Sequence, residues 1–196
     1  MKKVKTLKFW FFLGFFSLVL IFVLSMIGCA IMTDYKSAYE MTPSGVTEIK
    51  DIPESVVIES SANGEYFDKS NGLFIHLFNY IRDNDIPMTV PVEAGISSAN
   101  MRFYIIGEQE NRKLEDGREV KVIRVPAKKV ASLGMRGSYS ESNVKSAEKK
   151  LVEWITSSGK YKQTGLPYAV YWNSPFRLWF LKHYEIHVPV EEIPLK

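Results

Sequence analysis

Apolar residues recur with a helical period in "NGLFIHLFNYIRDND", residues 71–85, where Phe74, Leu77, Phe78 and Ile81 share one face. Ser70 or Asn71 is the expected cap. His76, Asn79, Tyr80 and Asp83 fall on the polar side, which reads as a solvent face. The same spacing returns over residues 142–157, with Val144, Ala147, Leu151, Trp154 and Ile155 aligned and Gly159 as a stop. Strand-like segments follow each helix, closing on "NMRFYIIG" (100–107) and on "KHYEIHVPV" (182–190). "IPMTVPV" (86–92) is an odd strand. Thr89, Val90 and Val92 favour a sheet, whereas Pro87 and Pro91 cannot donate to a ladder and predict an edge, bulge or bend.

The pattern is written twice. "IKDIPESVVIESSANGEY" (49–66) aligns without a gap on "VIRVPAKKVASLGMRGSY" (122–139). Pro53 falls on Pro126, Val57 on Val130, Gly64 on Gly137 and Tyr66 on Tyr139, each 73 residues apart. After the inserted "KYKQTG" the register predicts that Pro91 corresponds to Pro175. Each half reads strand, helix, strand, strand, and the polar "EQENRKLEDGR" joins them. Neither half is large enough to bury its own apolar face. The expected fold is α+β: duplicated β-α-β-β repeats in one curved, barrel-like antiparallel sheet of about eight strands, with two helices packed outside. A cleft between the halves is the expected ligand site.

Composition changes the picture at the front of the chain. Lys2, Lys3, Lys5 and Lys8 precede an uncharged run from Phe9 to Met32, long enough to cross a bilayer. Lysines flanking one side orient the remainder outside the cytoplasm. "MIGC" (26–29) resembles a bacterial lipoprotein box with Cys29 as the lipid attachment point. The alternative is an uncleaved anchor helix. The expected organisation is 1–32 as anchor or signal, 33–38 as linker, and 39–196 as the domain, with repeats over about 39–110 and 118–196. Without residues 1–28, 21 basic residues face 22 acidic ones. The basicity belongs to the anchor, and no basic patch argues for nucleic acid. Cys29 is the one cysteine, so the domain has neither a disulfide nor thiol chemistry.

Four pieces, "YEM" (39–41), "IPMTVPV" with "MRFYI" after it, "EVKVIRVPAKKVA" and "YWNSPFRLWFLKHYEIHV", resemble the SOUL heme-binding protein family, in order, from Tyr39 to Val190. The resemblance implies heme or a related tetrapyrrole as ligand. It also implies a fold similar to GyrI-like effector-binding domains, which take small molecules between the halves beside a central Glu. Two departures stand out: the family's Asn-Glu-Val is Tyr184-Glu185-Ile186 here, and Ile105-Ile106-Gly107 replaces its proline ending.

Alternation on the last strand places His183, Glu185 and His187 on one face. The first-half equivalents of Glu185 and His187 are read as Met101 and Phe103, giving a cleft that is apolar on one side and His/Glu/His on the other. His183 or His187 then meets a metal or a propionate; otherwise the three are the solvated face of a final strand. Arg177 pairs either a ligand carboxylate or an ordinary one. Trp172, Phe176 and Trp179 are core filling or a ligand lip. There is no covalent c-type heme motif, phosphate loop, dinucleotide fingerprint or nucleophile constellation. Three functions remain open. The first is a membrane-tethered extracytoplasmic binder of heme or another hydrophobic small molecule. The others are a GyrI-like binder or hydrolase using Glu185, and an envelope interaction protein without a ligand.

Overall fold

The computed structural model describes Ser17, residues 35–175 and residues 177–194. The chain divides into two compact units, Met1–Asp34 and Tyr35–Lys196, and the second is the subject here. The apolar run with Cys29 lies outside the described residues apart from Ser17, as does Phe176. Among the described residues no helix is long and apolar enough to cross a membrane.

Eight strands form one antiparallel sheet. They are β2 (Thr47–Ile52), β3 (Ser55–Ser61), β5 (Val92–Gly95), β6 (Asn100–Ile105), β7 (Lys121–Val125), β8 (Lys128–Arg136), β10 (Tyr168–Tyr171) and β11 (His183–Glu192). Their order is β2-β8-β11-β10-β5-β6-β3-β7, and the short β9 (Tyr161–Gln163) pairs with the far end of β11. The expected repeat gains a leading strand in each half. Pro53 and Pro126 stand at the turns that separate β2 from β3 and β7 from β8. The leading strands are exchanged: β2 pairs with β8 of the second half and β7 with β3 of the first. Lys50 opposes Val130 and Ile123 opposes Val57, the same pair moved by 73 residues.

Two helices, α1 (Tyr66–Asp83) and α2 (Glu141–Ser158), cover one face of the sheet. α2 starts at Ser140, whose hydroxyl accepts from the Asn143 N–H, and stops at Gly159. α1 begins earlier than expected, at Tyr66, so Ser70 and Asn71 are interior. Tyr66 is buried and supplies the anchoring side chain that the apolar run from Leu73 did not reveal. Leu73, Leu77, Ile81, Val144, Ala147, Leu151 and Ile155 pack on Ile58, Met101, Phe103, Ala169, Ile186 and Val188.

The opposite face is covered by the chain itself. β1 (Lys36–Ser37) pairs in parallel with β4 (Thr89–Val90), and residues 39–46 then cross the sheet as a strap. Pro43–Val46 is a hydrogen-bonded turn, with Gly45 at a positive φ of 84°. Gly45 donates to the Gly134 carbonyl at 2.8 Å, and Gly134 donates back to Val46 at 3.0 Å. The expected linker over 33–38 therefore contains a paired strand.

"IPMTVPV" bends as expected. Thr89 and Val90 pair with β1, the Val90–Pro91 peptide is cis, and Val92 opens β5. The register changes its repeat partner. In each half the last strand fixes the one before it. Tyr168 opposes His187 as Glu93 opposes Arg102, so Leu166 and not Pro175 occupies the place of Pro91.

Gly134 sets the height of the strap. A β-carbon there would stand 2.2 Å from the Pro43 carbonyl oxygen and 2.5 Å from that of Thr42. Gly134→Val is expected to lift residues 42–46 and to cost about 2–3 kcal/mol of stability, read from the urea midpoint. A wild-type midpoint would show that the strap does not depend on this contact.

Candidate functional site

The face of the sheet opposite the helices carries two linked polar clusters. At the first, the Glu185 carboxylate accepts from four separate segments. The Thr42 N–H donates to Oε1 at 2.6 Å, and Ser132 Oγ donates to Oε2 at 3.0 Å. Lys50 Nζ stands 3.2 Å and His187 Nε2 2.5 Å from the same Oε2. Glu185 and His187 are fully buried. Burial would raise the Glu185 carboxyl, but the His187 hydrogen bond, Lys50 and the Thr42 N–H hold it below the ordinary carboxylate value. Burial lowers His187 below its ordinary value more than the Glu185 carboxylate raises it. His187 is thus neutral at pH 7, donating from Nε2 to Glu185 and accepting at Nδ1 from the Tyr168 hydroxyl at 3.1 Å.

The second cluster surrounds Glu93, also buried. Tyr104 OH donates to its Oε1 at 2.5 Å, and Lys128 Nζ lies 3.1 Å from that atom. Arg102 reaches Oε2 at 3.6 Å and binds Glu59 at 2.6 Å. Burial opposes the charge of Glu93; Lys128 and the Tyr104 hydroxyl outweigh it and set the carboxyl below its ordinary value. Tyr168 links the clusters, touching His187 on one side and lying under Lys128 Nζ at 4.2 Å on the other. A cavity of about 270 Å³ remains open beside Glu93, lined by Arg102, Lys128, Leu166 and Tyr168.

Tyr39 fills the centre of this face. Its ring meets Tyr104 and Trp172 edge-on, each at 5.6 Å, and tilts over His187 at 6.1 Å. Burial pushes the Tyr39 and Tyr168 phenols well above the ordinary tyrosine value, so both are neutral. Trp172 is core filling.

The expected site residues separate into three groups. Glu185 and His187 sit together under the strap. His183 shares their face but lies at the rim, half-buried, where Ser44 Oγ meets its Nδ1 at 3.2 Å and Nε2 has no hydrogen-bond partner among the described residues. Burial, Arg136 and Arg177 lower the His183 pKa. Arg177 stands at that rim with a buried Nε unpartnered among the described residues. Met101 and Phe103 are elsewhere: they point to the helices and are buried in the core. The pairing gives the reason. Glu59 opposes Arg102 as Ser132 opposes His187, and Glu59 and Ser132 are 73 residues apart, so Arg102 is the counterpart of His187 and Asn100 that of Glu185.

Metal ligation by His183 with His187 has no geometric support, because His187 is enclosed and already bonded at both nitrogens. No group of three acidic, histidine or cysteine side chains suited to a metal occurs among the described residues. The engaged oxygens of Glu185 leave no position for a substrate in this conformation. Sequence reasoning missed Lys50, Glu93, Lys128 and Tyr168. Glu93 stands between the apolar Val92 and Ala94, and that signal could have placed it on the inner face, whereas Lys50, between Ile49 and Asp51, carries no such signal. His76 lies with Asn79 and Asp83 along an open groove of about 610 Å³ between α1 and residues 113–120, and Ser60 Oγ meets its Nδ1 at 3.2 Å.

Two outcomes follow from these clusters. Lys50→Met leaves the buried Glu185 without its cation and is expected to cost about 3 kcal/mol in urea unfolding. Below the ordinary histidine value near 6.5 the unfolded chain binds protons at His187, Glu185 and Glu93 sooner than the folded one does. The urea midpoint is therefore expected to be level above about pH 7 and to fall steadily with acid. A midpoint that rises on acidification would refute this protonation scheme.

Comparison with known proteins agrees with this architecture. The family described as SOUL heme-binding protein matches residues 34–189. No curated protein matches the chain. Among solved structures, the C-terminal domain of EcmrR superposes with a TM-score of 0.60 at 17% identity, over 76% of this chain and 98% of that domain. EcmrR in its complex with DNA and RPo gives 0.61 at 17% identity, over 76% of this chain and 58% of the EcmrR chain. An uncharacterized conserved protein from Listeria innocua gives 0.49 at 15% identity, covering 76% and 94%. The likeness to EcmrR, at 17% identity, establishes the fold alone. The family match, over most of the length and across both repeats, is of another order: the chain belongs to the SOUL heme-binding protein family.

Proposed function

We propose that this chain is a membrane-tethered, extracytoplasmic binder of heme or a related tetrapyrrole, held without a covalent bond at the rim around His183. The observation that carries the reading is the state of His183. Of the three histidines, His187 is enclosed and His76 lines a groove with Asp83, Glu115, Asp116 and Glu119. His183 has an Nε2 without a hydrogen-bond partner among the described residues, and its lowered pKa keeps the imidazole neutral, the form that ligates iron. Ser44 at Nδ1 fixes which nitrogen faces outward.

The surroundings suit a planar anionic ligand. Arg177, whose buried Nε has no hydrogen-bond partner among the described residues, stands at the rim and could turn its guanidinium to a carboxylate. Trp179 and Phe180 meet edge-to-face at 5.6 Å and expose their rings to solvent. No acidic residue occurs between Glu153 and Glu185. Bound there, a tetrapyrrole would supply the iron chemistry; the protein supplies one imidazole, the guanidiniums and an apolar surface. The tether is the apolar run from Phe9 to Met32, either as a helix or as a signal ending at a lipidated Cys29.

Hemin titration of the full chain in detergent tests the ligand. The Soret band is expected to shift, His183→Ala to alter or abolish the shift, and His187→Ala to leave its position unchanged. Ligation is expected to fail with acid as pH drops through the lowered His183 pKa, below about 6.5. No Soret change at micromolar hemin would overturn the tetrapyrrole reading.

A further inference from the structure

Leu178, Trp179 and Phe180 form a consecutive apolar tip, 49%, 65% and 48% exposed. Its backbone is held firmly. The Leu181 N–H donates to the Leu178 carbonyl at 2.9 Å, and the Lys182 N–H to the Trp179 carbonyl at 3.2 Å. Arg136 Nε donates to the Phe180 carbonyl at 2.9 Å, and Lys182 Nζ to that of Pro175 at 2.8 Å. A fixed tip that keeps three large apolar side chains in water has the form of a surface made for a partner.

Charge and position select the partner. The cations around the tip are Arg177 and Lys182, within the long stretch free of acidic residues, and Arg136, which binds the Phe180 carbonyl. Aromatic side chains beside cations match the boundary of an anionic lipid bilayer. The root of the domain lies at the same end of the sheet. Lys36 opposes Thr89, just ahead of Val92, and Val92 opposes Tyr171, where β10 runs out toward the tip. Only Thr33 and Asp34 separate Tyr35 from the end of the apolar run at Met32. Extended chain of that length reaches about 11 Å. If the apolar run is the tether, so short a leash keeps the domain within reach of the lipid surface, which favours a bilayer over a soluble partner.

We infer that the Leu178–Trp179–Phe180 tip docks into the headgroup region of an anionic bilayer, with Arg136, Arg177 and Lys182 against lipid phosphates. Docking does not require that the ligand be a tetrapyrrole; it rests on the tethering half of the proposed function. It sets the mouth of the His183 rim at the lipid surface, the phase in which an apolar planar ligand would dissolve.

The test uses the full chain reconstituted into phosphatidylcholine vesicles carrying a minority of phosphatidylglycerol. Cys29→Ser with Trp179→Cys takes an environment-sensitive fluorophore at the tip, and Cys29→Ser with Lys149→Cys takes it on the exposed face of α2. The tip probe is expected to shift to the blue and to be quenched by nitroxide lipids several-fold more than the α2 probe. Flotation of the unsubstituted chain, which keeps Cys29, separately reports whether the chain is held by the vesicles. Retained chain whose tip probe is no more quenched than the α2 probe overturns docking and leaves the tether standing. Chain that does not float with the vesicles overturns both.

Discussion

The buried carboxylate of Glu185 is the constraint on which the inner face depends. A charge removed from water this completely persists only if its oxygens are satisfied. The donors come from the strap (Thr42), the exchanged strand β2 (Lys50), β8 (Ser132) and β11 itself (His187). One group thereby fastens the start of the domain, its first repeat and its second. The exchange of β2 and β7 serves the same end. It brings Lys50 of the first half against a carboxylate of the second, which two self-contained repeats could not do.

The repeat explains the backbone and not the chemistry. Related positions hold His187 and Arg102, Glu185 and Asn100, Tyr168 and Glu93. Each half thus carries a buried acid, but on a different strand: β11 in the second, β5 in the first. The strap passes over only one of them. Glu185 is roofed by Thr42, while Glu93 keeps an open cavity beside it. The asymmetry arises because a single N-terminal segment exists to cover a face that was duplicated.

Much of this was readable in the sequence. The 73-residue register, the α2 boundaries, the closing strands and the bend at Pro91 rest on local periodicity, Gly, Pro and capping chemistry, which act over a few residues. What failed required long-range pairing. Met101 and Phe103 were assigned to the inner face because the phase of alternation cannot be carried across an insertion of unknown effect, and a slip by one residue reverses every side chain. The strap was missed for a different reason. "YEMTPSG" has no apolar period, and its order comes from Tyr39 packing and from Glu185, 143 residues away from Thr42. Trp172 and Trp179 bracket the same loop but divide between core and surface, a distinction composition does not contain.

The closed inner face bears directly on where a ligand can sit. To enter beneath the strap, a molecule must displace Tyr39 and Thr42, which are joined to the domain and therefore compete at an effective concentration on the order of millimolar. It must also leave Glu185 with a donor lost, a penalty of about 1–3 kcal/mol unless the ligand replaces the Thr42 N–H. A ligand able to do that would carry a hydrogen-bond donor or a positive charge at its centre. An anionic tetrapyrrole has the wrong sign for that position and the right one for the rim, where Arg136 and Arg177 act on His183. The electrostatics of one buried acid thus disfavour an anionic ligand at the centre of the sheet and leave the half-buried imidazole of His183 at the rim as the place the proposed ligand would take.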